Sequence, residues 1–294
     1  MAAAFPPDVF QHVVDAHCHP TEANSISAES MKQLQISVCA MSTHHGDQRC
    51  LESAIFRLSG YHPWFTHLIS LLPVTSKSEH YRHLFLGDDS QPSAEATSHL
   101  RHNFELFSST LAMLGEVGLD KQYRVAFDYH ASPRRLTPFT IPLDHQLAIL
   151  EAQIDIAVEL RRNVSLHSVK CPQITVDLIN KLRRKHGEQL DNIRLTTKKH
   201  NNVFISLSTT INGRSNNLNA LITACSPNRL LIESDIDNID RCTEKCIEIL
   251  NLMARVKGWP VEEAWVEDLD KDEWGVVRRI EANWKAFIGE NLQK

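Results

Sequence analysis

The chain has 294 residues, of which 42% are hydrophobic and 23% are charged, and its formal net charge is −5 at pH 7. This composition is typical of a globular protein and excludes a low-complexity or fibrous chain. The negative charge excludes a generally basic coat for nucleic acid, so any phosphate binding must come from a local cluster of cations.

The cysteines and the apolar segments indicate the compartment. Seven cysteines occur without a C-x-x-C pair, which is typical of a reducing interior rather than of a disulfide framework or a zinc ribbon. The longest apolar runs are about ten residues, roughly half of what a bilayer span requires. Residues 1–12 also lack the pattern of a signal peptide. We therefore expect a protein of the cytoplasm, the nucleus or both, without membrane association.

Strand-like and helix-like segments alternate along the chain. The candidate strands are Val13–Ala16, Ile36–Met41, Phe65–Leu72, Leu111–Leu114, Val164–Leu166, Asn192–Leu195, Val203–Leu207 and Arg229–Ile232. The candidate helices are Ala28–Gln35, Gln48–Leu58, Ala94–Ser108, Leu143–Arg162, Gln173–Gln189, Asn217–Ala224 and Asp240–Val256. Several strands are apolar at consecutive positions, as parallel strands covered on both faces are.

Repeated strand–helix units of this number predict an α/β fold, a (β/α)8 TIM-like barrel that forms one domain over residues 1–294. A doubly wound sheet is the alternative, but no glycine-rich phosphate loop follows the first strand. Residues 190–202 are too few for a strand, a loop and a crossover helix. The barrel is therefore expected to be incomplete at the sixth strand, with Asn192–Leu195 a short strand or irregular.

Residues that can bind a metal ion follow four of the predicted strands. His17 and His19 follow the first strand, Glu116 the fourth, His167 the fifth and Asp235 the last. Each has an ordinary alternative, such as a lysine partner, a core hydrogen bond or a helix cap. Because active sites of such barrels lie at the carboxyl ends of the strands, the four positions together predict a His, Glu and Asp cluster for one or two divalent ions.

Four short motifs carry a resemblance to a known family. They are Asp15-Ala16-His17-Cys18-His19, Gly115-Glu116-Val117-Gly118-Leu119-Asp120, Ser165-Leu166-His167-Ser168 and Leu231-Ile232-Glu233-Ser234-Asp235, with support from Gln146 to Ala157 and from Asn283 with Phe287. In order and spacing they resemble the TatD family of metal-dependent deoxyribonucleases, in a divergent fungal branch. One relative in that branch is named for binding a subunit of the anaphase-promoting complex, which keeps a protein partner open.

The resemblance implies a mechanism and a set of ligands. His17, His19 and Asp235 would hold one divalent ion (Zn, Mg or Mn), Glu116 would bridge to a second, and His167 would bind that second ion. Metal binding lowers the pKa of water, and Asp235 would act as the general base, so Asp235 and Glu116 are the expected catalytic residues. The implied reaction is phosphodiester hydrolysis, with DNA as the expected substrate.

One family feature is missing from this sequence. The family places a further metal-binding histidine at the end of the sixth strand, in a short His-x-Phe-x-Gly context that is not found here. His200, just before the next strand, and His186 are both poor substitutes. With only Glu116 and His167 counted for the second ion, we expect one ion to be bound firmly and a second weakly.

The segment Lys121–Pro142, after the fourth strand, supplies candidate phosphate-binding cations. Arg124, Arg134 and Arg135 are the candidates, since a guanidinium suits a phosphate, although charges that keep a loop soluble would look the same. The same segment carries aromatic residues, Tyr123, Phe127 and Tyr129, which could stack on bases or pack the loop against the barrel. We favour packing.

Three functions remain open at this point. The first is a metal-dependent phosphodiesterase or deoxyribonuclease. The second is a barrel with an impaired site that acts mainly as a protein-binding partner, which the missing histidine and the acidic stretch Glu262–Glu273 favour. The third is a metal-dependent amide or ester hydrolase with the same ligands. The sequence does not indicate the oligomeric state.

Overall fold

The structure is a computed structural model, and it describes residues 5–22, 28–43, 56–71, 76–86, 111–191, 193–196 and 202–289. The chain divides into two compact units. The first consists of Met1–Met41, Cys50–Arg57 and Thr196–Lys294, and the second consists of Ser42–Arg49 and Leu58–Leu195. Among the residues that the structure describes, none of the helices combines the length and apolar character that a bilayer span requires.

Strands and helices alternate, as the sequence predicts. The described strands are β1 (Val14–Cys18), β2 (Ser37–Met41), β3 (Phe56–Ser59), β4 (Leu111–Asp120), β5 (Arg124–Ala126), β6 (Leu136–Thr140), β7 (Val164–Val169), β8 (Leu195–Thr196), β9 (Val203–Leu207) and β10 (Leu230–Ile232). Short 3-10 helices span Pro20–Glu22, Pro63–Leu68, Pro227–Arg229, Ile239–Arg241 and Lys271–Glu273.

The α-helices of the described residues are α1 (Pro7–Phe10), α2 (Ala28–Gln33), α3 (Lys77–Leu86), α4 (Leu143–Glu159), α5 (Pro172–His186), α6 (Glu188–Asp191), α7 (Thr209–Asn212), α8 (Leu218–Ala224), α9 (Cys242–Lys257) and α10 (Val276–Ile288). Four of them, α4, α5, α9 and α10, have three turns or more. The predicted helices at 28–35, 143–162, 173–189, 217–224 and 240–256 are therefore confirmed to within a few residues at either end.

The first unit pairs its strands in parallel. β1 pairs with β2 through Val14 and Ser37, and β9 pairs with β10 through Ile205 and Leu230. Helix α9 buries one apolar stripe, which includes Ile249, Leu250, Met253 and Ala254. α10 contributes a second stripe to the same core. The closing asparagine and phenylalanine of the sequence motif belong here: Asn283 Nδ2 donates to the carbonyl oxygens of Pro227 and Leu230, and Phe287 packs on Phe204.

The second unit is built on β4 and β7, which pair in parallel from Leu114 to Asp120. Helix α4 packs against β4 and buries Ile149, Leu150 and Ile154. β8 pairs with β7 at a single position, Val164 with Leu195. The predicted Asn192–Leu195 strand is thus a two-residue strand, shifted by a few residues, as the short sixth segment suggested.

The predicted elements differ from the structure at three places. The predicted strand Phe65–Leu72 is wrong over residues 65–71, because Pro63 starts a 3-10 helix that ends at Leu68; residue 72 lies outside the described residues. The predicted helix Gln48–Leu58 is wrong over residues 56–58, which belong to β3; its earlier part and the helix Ala94–Ser108 lie outside the described residues. The fourth strand does not stop at Leu114 but continues to Asp120.

The glycines of β4 explain why that strand is longer than its apolar run. Gly118 lies opposite His167 of β7, and a Cβ atom at position 118 would be 1.9 Å from the His167 carbonyl oxygen. Glycine therefore allows the backbone of β7 to approach β4 closely instead of ending the strand. Any side chain at position 118 would displace the backbone of His167.

We expect Gly118→Ala to lower the free energy of unfolding by about 1–3 kcal/mol, because the added methyl group overpacks the contact between the two strands. Urea denaturation followed by circular dichroism measures the change. The control is Gly258→Asn at the left-handed residue after α9, where nothing lies within 4 Å of an added Cβ. Equal stabilities for the Gly118→Ala variant and the parent would contradict the prediction.

Candidate functional site

In the first unit, His17, His19 and Asp235 bring their polar atoms together at the ends of β1 and β10. The two imidazole Nε2 atoms are 2.9 Å apart. Asp235 Oδ1 lies 3.6 Å from Nε2 of His17 and 3.3 Å from Nε2 of His19. Two neutral imidazoles and one carboxylate at this spacing suit a divalent cation, and three protein ligands leave a coordination position for water or substrate.

The backbone holds these three side chains in place. The amide of Asp235 donates to the carbonyl oxygen of His17 at 3.0 Å. The amide of His19 donates to the carbonyl oxygen of Ile236 at 2.9 Å. Asp235 itself has a φ of 51°, in the left-handed region that aspartate tolerates better than most residues. A strained backbone held by reciprocal hydrogen bonds is common at functional positions.

Asp15, two residues before His17, supports this group from within the core. Its Oδ1 atom accepts hydrogen bonds from the amides of His17 at 3.1 Å and of Ser234 at 3.0 Å. Complete burial raises the pKa of Asp15 to about 6, and the hydrogen bonds from Ser234 and His17 offset only part of that effect. The buried carboxylate thus fixes the backbone on both sides of the candidate ligands.

In the second unit, His62, Glu116 and His167 form a second group of possible ligands. Glu116 Oε1 lies 2.9 Å from Nδ1 of His167, and Glu116 Oε2 lies 3.2 Å from Nε2 of His62. The two imidazoles also meet, with His62 Nε2 3.2 Å from His167 Nδ1. His62 and Glu116 are buried and His167 is partly buried, so a cation here would lie in a shielded setting.

Asp120 orients His167 from the other side of the ring. Its Oδ2 atom lies 3.3 Å from His167 Nε2 and accepts a hydrogen bond of 2.7 Å from the indole of Trp64. Gln146 holds Asp120 in turn, because its side chain accepts from the Asp120 amide and donates to the Asp120 carbonyl oxygen. A partner on the second ring nitrogen is what sets the orientation of a metal-binding histidine.

The charges of this group shift the pKa values of His167 and Asp120. Burial alone would lower the pKa of His167, but the carboxylates of Glu116 and Asp120 outweigh it and raise that pKa to about 9. Burial would raise the pKa of Asp120, yet hydrogen bonds from His167, Trp64 and the Gln122 amide outweigh it and lower that pKa to about 2. Asp120 is therefore an ionised partner of His167 throughout the neutral range.

A third group, Asp15, Cys18 and Cys242, is fully buried in the core of the first unit. A hydrogen bond with Cys242, together with burial, raises the pKa of Cys18 well above its usual value, and the thiol of Cys18 donates to the Cys39 carbonyl oxygen. A thiol must lose its proton to bind a metal ion. These cysteines therefore act as small core residues, and we assign no ion to them.

The predicted phosphate-binding arginines lie on a hairpin formed by β5 and β6. Arg124, Arg134 and Arg135 are all exposed. The guanidinium of Arg134 lies 3.9 Å from the ring centroid of Tyr129, and that of Arg135 lies 4.9 Å from the centroid of Phe127. Tyr129 also packs edge-on against Phe65, so it fastens the hairpin as the favoured packing interpretation predicts.

His62, Trp64 and Asp120 were not among the residues assigned from the sequence. His62 had a detectable signal, because Gly60-Tyr61-His62-Pro63 repeats the pattern of His19-Pro20, in which a proline directly follows a histidine. The apolar run after Pro63 favours a strand there, whereas β3 lies before Gly60, so the sequence pattern does not place His62 after a strand. The structure brings three possible donors together in this group, one more than the two that the sequence predicts for the second ion.

Glu116 and His167 lie within β4 and β7 rather than after them, because both strands are longer than predicted. Two groups of three nitrogen and oxygen donors in or just after the strands of an α/β fold are typical of metal-dependent hydrolases. Residues 14–266 match the family described as TatD related DNase. The chain belongs to this family, which is metal-dependent, and its fold is the TIM-barrel, amidohydrolase-like α/β fold of that family.

Two curated relatives match almost end to end. Cut9-interacting protein scn1 of Schizosaccharomyces pombe is 23% identical and is covered over 99% of its length by 95% of this chain. A Saccharomyces cerevisiae protein described as an uncharacterized deoxyribonuclease is 25% identical and is covered over 99% by 94% of this chain.

Two solved structures share the fold. The TatD homologue YJJV of Escherichia coli has a TM-score of 0.56 at 15% identity, with 95% of this chain and 98% of the other covered. An uncharacterized amidohydrolase of Saccharomyces cerevisiae has a TM-score of 0.58 at 11% identity, with 94% and 99% covered. At these identities the likeness concerns the fold alone.

We expect His62→Ala to weaken the binding of one divalent ion at least about a hundredfold, because losing a direct ligand costs more than losing a residue that only orients one. Isothermal titration calorimetry with Mn²⁺ or Zn²⁺ measures this on metal-free protein. His186→Gln is the control, since His186 pairs with Asp155 in the same unit. An isotherm for His62→Ala that matches the parent would exclude His62 as a ligand.

Proposed function

We propose that this protein is a metal-dependent phosphodiester hydrolase that acts on DNA. The observation that carries the proposal is the pair of donor groups, His17, His19 and Asp235 in one unit and His62, Glu116 and His167 in the other. Membership of a family described as TatD related DNase supports phosphodiesters as the substrate class.

The proposed roles follow from the chemistry of the side chains. A divalent cation, when bound, lowers the pKa of water and neutralises charge that develops on a phosphoryl group. Asp235 contacts both histidines of its group through its side-chain oxygen, so it would be placed to accept the proton of an attacking water as general base. The predicted bridging role of Glu116 stays a prediction.

We propose that each group of three residues holds one divalent ion. Zn, Mg and Mn all remain candidates, although the imidazole-rich donor sets favour Zn or Mn over Mg. Because His62 adds a third donor beside Glu116 and His167, we expect the second ion to bind more firmly than a two-residue count predicts. Its affinity relative to the first ion is what calorimetry would measure.

A protein-binding role is the second candidate. The supporting observation is the printed name of the Schizosaccharomyces pombe relative, which is a protein that interacts with Cut9. A partner would have to be held outside the donor groups, and the acidic segment 262–273 is one surface that a basic partner could contact. An inactive protein that still binds such a partner would favour this function over hydrolysis.

The decisive experiment measures metal content and hydrolysis on the same preparation. Purified protein is stripped with a chelator, reloaded with Zn²⁺, Mg²⁺ or Mn²⁺, and assayed on single-stranded DNA and on a panel of amide and ester substrates. Metal-dependent cleavage of DNA alone would support the proposal. Cleavage of amides or esters but not of DNA would assign the protein to the other hydrolase class.

We expect both His17→Ala and Asp235→Asn to abolish metal-dependent hydrolysis, with a loss of at least about a thousandfold in kcat, while the unfolding midpoint stays near that of the parent. Ligands at strand ends of such barrels contribute to activity more than to stability. Asp237→Asn, an exposed neighbour, is the matched control. Normal kinetics in either ligand variant would contradict the assignment.

We expect Arg124→Ala to weaken the binding of single-stranded DNA and to reduce the slope of log K against log salt by about 0.7, the value for one phosphate contact on a single strand. Fluorescence anisotropy of a labelled oligonucleotide, measured between 50 and 200 mM salt, gives the slope. Lys181→Ala removes a cation that pairs with Glu151 elsewhere in this unit and is the control. A slope equal to the parent's would count against Arg124.

A further inference from the structure

A cavity of about 280 Å³ lies in the second unit, lined by the 3-10 helix Pro63–Leu68 and by the β5–β6 hairpin. Its wall includes the side chains of Phe65, His67, Tyr123 and Tyr129. We call it the aromatic cavity. Pockets for drug-sized ligands measure about 300–1,000 Å³, so this one suits a single planar ring system rather than a peptide or a long chain.

The rings that line the aromatic cavity are already held in place. Tyr123 stacks on Trp64 with centroids 4.9 Å apart and an interplanar angle of 10°. Tyr129 meets Phe65 edge-on at 4.8 Å and is covered by the guanidinium of Arg134 at 3.9 Å. Because these contacts fix the ring planes in advance, a ligand that stacks there loses little affinity to ordering the site.

Tyr123, which lines the aromatic cavity, is linked to the candidate ligand His167 through the ring of Trp64. Trp64, which carries the Tyr123 ring on its face, lies 6.2 Å from the imidazole of His167 between ring centroids. The indole of Trp64 also donates to Asp120, the carboxylate that contacts His167. On this path the rings of Tyr123 and Trp64 lie between the cavity and the group His62, Glu116 and His167.

The lining of the aromatic cavity and the surface around it differ in charge. Arg124, Arg134 and Arg135 are exposed on the hairpin, whereas the phenylalanine and tyrosine rings of the lining are uncharged. His67 is neutral as well, since burial lowers its pKa, and its Nδ1 lies 2.9 Å from the Trp64 carbonyl oxygen. That contact places the proton on Nδ1 and makes Nε2 an acceptor. The arrangement fits a neutral planar ring joined to an anionic group.

We propose that the aromatic cavity binds one nucleobase of the DNA strand, next to the phosphodiester that is cleaved. This inference rests on the proposed function and adds a base-binding subsite to it. Stacking on aromatic side chains tolerates any base, because every base has a π-face. The subsite therefore accepts any of the bases beside the reacting phosphate. It discriminates against a sugar–phosphate that lacks a base.

The test compares two single-stranded oligonucleotides that contain one hydrolysable phosphodiester among phosphorothioate linkages. One carries thymines on both sides of that linkage, and the other carries abasic residues there. We expect the parent protein to cleave the first about tenfold to a hundredfold faster in kcat/KM, the range that loss of one stacked base gives. Equal rates on the two substrates would overturn the proposal.

Two variants test whether the aromatic cavity causes the difference in cleavage between the thymine and abasic substrates. Tyr129→Leu removes a lining ring, and Ala126→Phe fills the space from β5 without removing a contact. We expect each to lower the ratio between the two substrates about tenfold. Phe139→Leu changes an exposed ring of the same hairpin that stacks on Phe85, and it should leave the ratio unchanged. A ratio that neither cavity variant alters would refute the assignment.

Failure of the proposed function would be recognised separately. If neither oligonucleotide is cleaved with any divalent ion, the hydrolase assignment is wrong, and the cavity is then tested by calorimetry with thymidine 5′-monophosphate and with ribose 5-phosphate. Binding of the nucleotide that Ala126→Phe abolishes, without binding of the sugar phosphate, would support the base site. Equal binding of both, or of neither, would overturn it.

Discussion

The buried carboxylate of Asp15 is the interaction on which the candidate site of the first unit depends. A carboxylate is costly to bury without hydrogen bonds, and Asp15 obtains them from the amides of His17 and Ser234. The amide of His17 lies near the end of β1, and the amide of Ser234 lies shortly after β10. The two hydrogen bonds to Oδ1 of this buried carboxylate therefore also bring His17 and His19 to the side of Asp235, so that the positions of the candidate ligands follow from the folding of the core.

The second unit reaches a similar result by a different route. His167 is contacted at both ring nitrogens by carboxylates, Glu116 on one side and Asp120 on the other. Both carboxylates lie on β4, four residues apart, and the glycine between them allows β7 to approach closely enough for the contacts to form. The position of Gly118 is thus a requirement of the site as much as of the sheet.

The sequence predicted the order of the elements and most of the candidate ligands because strand ends of a parallel α/β fold have a common location. It failed where local pattern and tertiary structure disagree. The apolar run Phe65–Leu72 has the composition of a buried strand, yet Pro63 starts a 3-10 helix there. The apolar run of the fourth strand ends at Leu114, although the strand continues through Gly115 and Gly118, where glycine permits close packing. His62 was missed because β3 is a short strand with only one strongly apolar pair, and such strands carry little periodic signal.

The raised pKa of His167 has a consequence for how an ion is gained and lost. Before a cation binds, a proton on the imidazole neutralises part of the charge of Glu116 and Asp120, and this contribution to stability is complete below pH about 6.5 and disappears as the pH rises through about 9. A cation at the proposed site would compete with this proton for the same ring. Its release at neutral pH would therefore be accompanied by uptake of a proton, so that Glu116 and Asp120 would not be left without a positive charge between them.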